Sequence, residues 1–276
     1  MKGEIRKKGS CKFLDKEFYV WEREVIEKRS HCNSVNNNAG LKLDTTKEKR
    51  KLNMIIAKHF LSDKHRVLDA YGGYGITTYL WLKQGCKVDV CEEDEWNYSL
   101  LWDNLNEFHG KRKLRCFNYS NLIMFNKFKD EKRKYDLIDL DPYGSCFEQI
   151  GPALELIDNG ILLVTCGEPT VLYRGFHKKN YTKRYGSDIE EFLSYRTFWK
   201  FPKDFFFEKY IKSKTSKKLK LLHYFESKVI GRLIIQVGDP DIPTELLDEF
   251  KGREKIFGDI KVFNGQKSLV DCWGVE

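Results

Sequence analysis

The chain has 276 residues, of which 41% are hydrophobic and 33% charged. This is ordinary globular usage, and it excludes a disordered, collagen-like or low-complexity chain. The sequence has no stretch near the roughly 18 consecutive apolar residues of a membrane helix and no N-terminal apolar run typical of a signal peptide. We therefore expect a soluble, cytoplasmic protein without membrane contact.

Charge and cysteine content narrow the possible partners. The net charge of +8 divides into +7 over residues 1–65, −5 over 66–170, +9 over 171–220 and −3 over 221–276. Two basic segments around an acidic middle favour a polyanionic partner.

The eight cysteines form no CxxC pair and the six histidines no HxH or HExxH spacing, so we predict neither a disulfide framework nor a metal site.

The predicted elements alternate regularly after an irregular start. Residues 1–44 are predicted to be a basic, irregular segment with a loop over 33–40, and a helix is predicted from Thr45 with Thr45 or Thr46 as its cap. Strands are then predicted at 66–70, 87–93, 114–118, 135–141 and 161–166, and helices at 76–85, 95–108 and 147–160. Two β-rich runs, 220–227 and 232–238, are typical of an antiparallel hairpin.

Strands that alternate with helices at this spacing indicate βαβ units. We therefore predict a Rossmann-like α/β fold, with a mostly parallel seven-stranded sheet, a terminal antiparallel hairpin and helices on both faces. The predicted domain covers residues 45–240, and residues 241–276 form a short C-terminal extension.

A glycine turn follows the first predicted strand, in the sequence VLDAYGGYGITT. Glycines permit a sharp turn and close approach of backbone N–H groups to a ligand. A dinucleotide fingerprint needs a third glycine where Thr78 stands, and there is no GK[ST] sequence, which disfavours NAD and a P-loop. Glu92 follows Gly73 by 19 residues, a spacing that suits a carboxylate bonded to a ribose diol. Alternatively, the glycines only turn the chain and Glu92 is one of four solvated acids.

The fourth predicted strand ends in the sequence DLIDLDPYGS, which places Asp141, Pro142 and Tyr143 at the carboxyl edge of the sheet. A carboxylate and a fixed carbonyl can accept the two N–H bonds of an exocyclic amine, and an aromatic ring can stack on a base. The alternative is an ordinary strand-to-turn sequence.

VLDAYGGYGI, VCEED and DLDPYGS, in this order, resemble class I S-adenosylmethionine-dependent methyltransferases. DPYGS, together with residues 161–187 and their KRYGS, is similar to the tRNA (guanine-26 N2)-dimethyltransferase family over roughly residues 45–200. The resemblance implies S-adenosylmethionine as cofactor, tRNA or other RNA as partner, and methylation of guanine N2.

The resemblance also implies roles for individual residues. It assigns cofactor binding to Arg50, Asp69, Gly73, Gly75, Glu92 and Asn118. It makes Asp141 the catalytic acid, with Pro142 beside it and Tyr143 as the stacking ring. The chain departs from the family pattern at Thr77, where an Arg is usual, at Asn118, where an Asp is usual, and at CGEP, which replaces a Thr-Asp pair. The family's long C-terminal domain is also not matched, so the modified nucleotide stays open.

The window 171–220 combines 14 Lys or Arg with 13 aromatic residues. Positive charges contact phosphates and aromatic rings stack on unpaired bases. The candidate RNA-binding residues are Arg174, Lys178, Lys179, Lys183 and Arg184. For residues 205–218 the alternative is a solvated helix whose aromatic side chains pack inward.

Two other functions fit the same residues. One is a DNA methyltransferase acting on an exocyclic amine, although Tyr143 directly follows a single proline, which favours RNA. The other is a catalytically silent nucleic-acid-binding module of the same fold.

Overall fold

The computed structural model describes residues 7–22, 35–169, 178–192, 200–227, 230–251 and 255–257. The strands are β1 (Lys7–Phe13), β2 (Lys16–Glu22), β3 (Arg66–Asp69), β4 (Lys87–Cys91), β5 (Leu114–Phe117), β6 (Leu137–Leu140), β7 (Gly160–Cys166), β8 (Leu219–Ser227), β9 (Gly231–Val237) and β10 (Lys255–Phe257). The α-helices are α1 (Val35–Phe60), α2 (Ile76–Lys83), α3 (Glu95–Asn104), α4 (Asn121–Asp130), α5 (Ile150–Glu155), α6 (Lys178–Tyr185) and α7 (Thr244–Phe250). A π-helix covers Phe201–Ile211, and 3-10 turns cover Asn106–Phe108, Ser187–Phe192 and Lys212–Lys214.

The main sheet has the strand order β10-β8-β9-β7-β6-β3-β4-β5. Strand β9 runs antiparallel to both of its neighbours, and the other pairings are parallel. The predicted mostly parallel, Rossmann-like sheet with a terminal antiparallel hairpin is confirmed by the seven strands β3 to β9. The three-residue strand β10 adds an eighth at the edge, inside the stretch expected to be a short extension.

Alternate residues of the strands enter two separate cores, one on each face of the sheet. Leu68 and Ile138 belong to the core that also buries side chains of α4, α5, α6 and the π-helix. Val67 and Leu137 belong to the core that buries side chains of α1, α2, α3 and α7. Because a parallel sheet must be covered on both faces, this arrangement confirms the predicted helices on both sides.

The expectation that residues 1–44 are irregular is wrong where the structure describes them. Strands β1 and β2 form an antiparallel hairpin with Phe13 opposite Lys16. Phe18 is fully buried, with its ring edge-on to Tyr79 at 5.3 Å, and Asn104 bonds the backbone of Tyr19 in both directions. These partners lie on α2 and α3, so the hairpin is stabilised by contacts with residues distant in sequence. The Lys-rich sequence of the hairpin itself does not predict it.

Helix α1 begins at Val35 instead of Thr45, so the predicted cap and the loop over residues 35–40 are also wrong. The helix predicted after Thr45 is present and packs an apolar face against the sheet, since Leu52 and Ile56 are buried. Extending a helix that is already nucleated costs little, which allows the polar residues before Thr45 to continue the same helix.

The aromatic residues of the π-helix pack inward as predicted. Phe205, Phe206 and Phe207 are buried. Nearby lysines lie at the surface in ion pairs, Lys212 with Glu208 and Lys218 with Asp239. Within the described residues, no helix combines the length and apolar character needed to cross a membrane.

Candidate active site at the carboxyl edge of the sheet

The strand order reverses between β3 and β6, and this is where α/β proteins bind ligands. The ends of the two strands are bonded together, since the Ala70 N–H donates to the Asp139 carbonyl at 3.0 Å. Neighbouring strands lie about 5 Å apart. The ends of β4, β3 and β6 therefore bring Glu92, Asp69 and Asp141 to one edge within two strand spacings.

The glycine turn after β3 lies close against the end of β4. The Gly72 N–H donates to the Cys91 carbonyl at 2.8 Å, and a Cβ at Gly72 would lie 2.4 Å from both Leu101 Cδ1 and Val90 Cγ2. Gly73 and Gly75 have φ of +52° and +81°, which glycine adopts without strain. A Cβ at Gly73 would have no atom within 4 Å, so the turn borders open space where a ligand can approach the backbone.

Glu92 is bound to the glycine turn rather than solvated. Its Oε2 accepts the Gly73 N–H at 2.8 Å and its Oε1 accepts the Asp94 N–H at 3.0 Å. Burial raises the pKa of Glu92, and these two backbone bonds oppose that rise. Asn118, which follows β5, donates from Nδ2 to the Glu92 carbonyl at 2.8 Å. The structure thus brings three of the predicted cofactor-binding residues, Gly73, Glu92 and Asn118, together.

Asp69 points into the protein. Its Oδ2 accepts the Thr78 hydroxyl at 2.7 Å and its Oδ1 accepts the Tyr71 N–H at 3.3 Å. Burial, with the charge of Asp139 as a second cause, raises the pKa of Asp69 to about 7. The side chain therefore stabilises the glycine turn from the interior.

Asp141 forms an ion pair that the sequence did not predict. Lys49 Nζ, on α1, lies 2.5 Å from Asp141 Oδ2, and both side chains are about one-fifth exposed, 19% and 20%. Burial acts to raise the pKa of Asp141, but the charges of Lys49 and Arg232 and hydrogen bonds from Lys49 and Thr165 outweigh it, so the pKa is lowered. Asp141 is accordingly a carboxylate at neutral pH.

Arg232 is a fully buried cation behind this carboxylate, on β9. Its guanidinium lies 2.9 Å from Asp139 Oδ1 and donates to Thr165 Oγ1 at 2.8 Å and to Asn53 Oδ1 at 3.0 Å. Buried charges require such partners. The one signal in the sequence was an arginine inside an otherwise apolar strand, RLIIQV.

Arg50, the predicted cofactor contact, lies elsewhere on α1. Its guanidinium carbon is 5.4 Å from the ring centre of Phe13 in the β1–β2 hairpin, whereas the preceding Lys49 reaches Asp141. Pro142 is half-buried, and the Tyr143 side chain is 99% exposed, extending outward from the strand end.

Four of the five predicted RNA-binding residues lie on α6, and one of them, Arg184, contacts the segment that follows Asp141. Arg174 lies outside the described residues, and Lys178 and Lys179 belong to the first turn of α6. Lys183 and Arg184 are in its last turn. The Arg184 guanidinium carbon lies 5.1 Å from the ring centre of Phe147, just beyond DPYGS. Helix α6 is therefore adjacent to the strand end that bears Asp141.

Among the described residues, no group of three or more His, Cys, Asp or Glu side chains is arranged to hold a metal ion. The acidic side chains of this edge are instead bonded to backbone N–H groups, to Thr78 or to the cations Lys49 and Arg232. The negative charges of the site are thus balanced by these cations, the Thr78 hydroxyl and the backbone N–H groups.

A family model for N2,N2-dimethylguanosine tRNA methyltransferase matches residues 32–192, more than half of the chain, and confirms the resemblance noted in the sequence. No curated protein matches the chain.

Solved structures similar to this chain include several methyltransferases. A SAM-dependent methyltransferase from Agrobacterium tumefaciens is 12% identical with a TM-score of 0.44, and the match covers 60% of this chain and 54% of that one. TYW2 from P. horikoshii, in complex with MeSAdo, is 14% identical with a TM-score of 0.48 over 84% and 71% of the two chains. Trm5b from Pyrococcus abyssi is 14% identical with a TM-score of 0.45 over 84% and 63%. The chain thus spans about half the length of the first of these proteins.

Proposed function

This chain belongs to the N2,N2-dimethylguanosine tRNA methyltransferase family, and we propose that it transfers methyl groups from S-adenosylmethionine to guanine N2 in tRNA. One observation carries the proposal. The Asp141 carboxylate follows β6, Gly73 lies in the turn after the neighbouring β3, and Glu92, which bonds Gly73, follows β4 on the other side of β3, so all three lie at the same carboxyl edge. A donor and an acceptor held at these two places would share one pocket.

The residues after β3, β4 and β5 fit a nucleoside cofactor. Each oxygen of Glu92 has accepted one backbone N–H, which leaves lone pairs for the two hydroxyls of a ribose. The open space at Gly73 admits a ligand against backbone N–H groups. Asn118, bonded to the Glu92 carbonyl, is proposed to contact the adenine of the cofactor. When bound, S-adenosylmethionine supplies a methyl group activated by its sulfonium charge.

Asp141, Pro142 and Tyr143 are proposed to hold the target base. Guanine N2 is a poor nucleophile because its lone pair is delocalised into the ring, so the site must hold it in line with the methyl carbon at about 3 Å. Asp141 and the Pro142 carbonyl would accept the two N2 hydrogens, and Tyr143 would stack on the ring.

The charge state of Asp141 suits this role. As N2 forms its new bond to the methyl carbon, the bond from that carbon to the donor sulfur would break with its electron pair kept by sulfur, and N2 would lose one proton, which Asp141 can accept and pass to water. Lys49 and Arg232 hold the pKa of this carboxyl below its ordinary value, so the proton does not remain there. The carboxylate is then ready for a second transfer to the same nitrogen.

The RNA is proposed to bind along α6. The last turn of α6 carries Lys183 and Arg184, and Arg184 lies over Phe147, two residues after the base-binding loop formed by residues 141–145. Phosphates held there would bring a single-stranded or extruded guanine within reach of Asp141.

The test is methylation of tRNA transcripts with isotopically labelled S-adenosylmethionine, followed by mass spectrometry of the nucleosides. We expect label in N2-methylguanosine or N2,N2-dimethylguanosine. Replacing the candidate guanine by inosine, which lacks the exocyclic amine, should remove the label at that site. Label on a DNA adenine or cytosine would favour the DNA alternative, and cofactor binding without transfer to any nucleic acid would contradict the proposal.

A further inference from the structure

Glu168 is a buried carboxylate that the proposed chemistry does not use. It lies two residues after β7 in the CGEP sequence, where the chain departs from the family pattern, and its side chain is 1% exposed. Oε1 accepts hydrogen bonds from the Ser145 hydroxyl and, at 2.7 Å, from the Tyr185 hydroxyl, while Oε2 accepts the Cys166 thiol at 2.9 Å. Both oxygens of the buried carboxylate thus accept hydrogen bonds, as desolvation requires.

The donors come from parts of the molecule with different proposed roles. Ser145 ends the loop that begins at Asp141. Tyr185 is the last residue of α6, directly after Lys183 and Arg184. One carboxylate therefore bonds the base-binding loop and the basic helix at the same time.

Other contacts join the same two parts. The Tyr185 ring meets Phe147 edge-on at 5.0 Å, and Arg184 lies over the same ring. The Gly167 N–H donates to the Gly144 carbonyl at 3.0 Å, and a Cβ at Gly167 would lie 2.5 Å from that oxygen. The loop thus packs against the residues that follow β7, and hydrogen bonds to Glu168 connect it to α6.

We propose that Glu168 is a positioning residue that couples RNA binding on α6 to placement of the target base against Asp141. The inference depends on the proposed function, because it takes the loop as the base site and α6 as an RNA contact. By fixing Ser145 and Tyr185 on one carboxylate, Glu168 sets the position of the helix relative to the loop. Phosphate contacts made at Lys183 and Arg184 then determine where the base enters.

The carboxylate itself is required for this role. An ionised carboxylate only accepts hydrogen bonds, so all three donors can point at Glu168. In Glu168→Gln the amide oxygen can still face Ser145 and Tyr185, with the NH2 group toward Cys166, but two charge-assisted hydrogen bonds become weaker neutral ones. The substitution therefore keeps the volume of the side chain and weakens the link.

The experiment compares Glu168→Gln and Tyr185→Phe with wild type in single-turnover methylation at saturating tRNA. We expect the rate to fall about tenfold or more in Glu168→Gln and less in Tyr185→Phe, with the dissociation constant of S-adenosylmethionine and the urea midpoint little changed. Glu155→Gln, an exposed carboxylate paired with Lys129, is the matched control and should keep the wild-type rate. Tyr185→Phe loses one hydroxyl only, so it tests the inference if Glu168→Gln does not fold.

The coupling between α6 and the base site is tested by adding Lys183→Ala to the wild-type protein and to Glu168→Gln. Lys183→Ala should lower the single-turnover rate at saturating tRNA less in Glu168→Gln than in wild type. Wild-type rates in both Glu168→Gln and Tyr185→Phe, equal effects of Lys183→Ala in both backgrounds, or parallel loss of cofactor binding and stability would overturn the inference. If the wild-type protein methylates no RNA, the proposed function fails. If the wild-type protein and both variants methylate RNA at the same rate, only the inference about Glu168 fails.

Discussion

Lys49 and Asp141 form an ion pair of 2.5 Å across the site, between α1 and the end of β6. Arg232 adds a second positive charge behind the same carboxylate and lowers its pKa further. Two cations on elements distant in sequence therefore keep ionised the one carboxylate that is proposed to accept the amine hydrogens of the base.

Replacing Lys49 by Met should narrow the pH range of activity. Because the pKa of Asp141 is depressed in the folded protein, its carboxylate persists as the pH falls, down to that low pKa. Without Lys49 the pKa rises, so protonation and loss of methylation begin at a higher pH. We expect the acid limb of the single-turnover rate profile to move upward, while Lys49→Arg stays near wild type. Superimposed profiles for Lys49→Met and wild type would show that the ion pair does not control Asp141.

Asp141→Ala should abolish methylation while leaving the cofactor bound. Loss of a positioned proton acceptor costs on the order of 100-fold or more in rate, and the proposed cofactor contacts lie on other strands. The measurements are nucleoside mass spectrometry and calorimetric titration with S-adenosylmethionine. Glu148→Gln, an exposed acid seven residues further on, is the control. Full activity in Asp141→Ala would remove the proposed mechanism.

Glu92→Gln should weaken cofactor binding by about tenfold, the effect of losing one good hydrogen bond to a charged group. The amide would turn its NH2 toward the N–H of Gly73 or of Asp94, so one of the two backbone bonds is lost. Its neighbour Glu93 is exposed, and Glu93→Gln should keep the wild-type dissociation constant. Equal affinities for the two variants, measured by calorimetry, would show that Glu92 does not contact the cofactor.

The sequence was sufficient to predict the sheet and the strand-end residues because both depend on local pattern. Apolar runs such as ILLVTC mark buried strands, and in a parallel sheet the residues that follow those strands must share one edge. Glu92, Asn118 and Asp141 were predictable for this reason.

The ionic partners of these residues were not predictable, because their pairing is set by tertiary structure. Lys49 is 92 residues from Asp141, and Arg232 is 179 residues from Asn53. The assignment of Arg50 rested on its position in a motif, but the helix directs that side chain toward Phe13. The β1–β2 hairpin was missed similarly, since burial of Phe18 depends on α2.

Asp69→Asn should reduce the dependence of stability on pH. The folded pKa of Asp69, about 7, exceeds that of an unfolded aspartate, so the native state holds a proton that the unfolded state releases. The free energy of unfolding of wild type should therefore fall as pH rises from about 4 to about 7, by a contribution on the order of 3 kcal/mol. Urea titrations without cofactor should show a flatter dependence in Asp69→Asn. If the free energy of unfolding depends on pH equally in wild type and Asp69→Asn, the group that titrates is not Asp69.

Removing the basic residues of α6 should weaken RNA binding and reduce its salt dependence. Each phosphate contact contributes about 0.7 to 0.9 to the slope of log K against log salt, so Lys183→Ala with Arg184→Ala should flatten that slope by up to about 1.8. Adding Lys178→Ala and Lys179→Ala should flatten it further. Lys212→Ala with Lys218→Ala removes the same charge from lysines that already pair with Glu208 and Asp239, and it should leave the slope nearly unchanged. The measurement is RNA binding at several salt concentrations. If the Lys183 and Arg184 double variant shows the same slope as the Lys212 and Lys218 double variant, the RNA contacts lie on another surface.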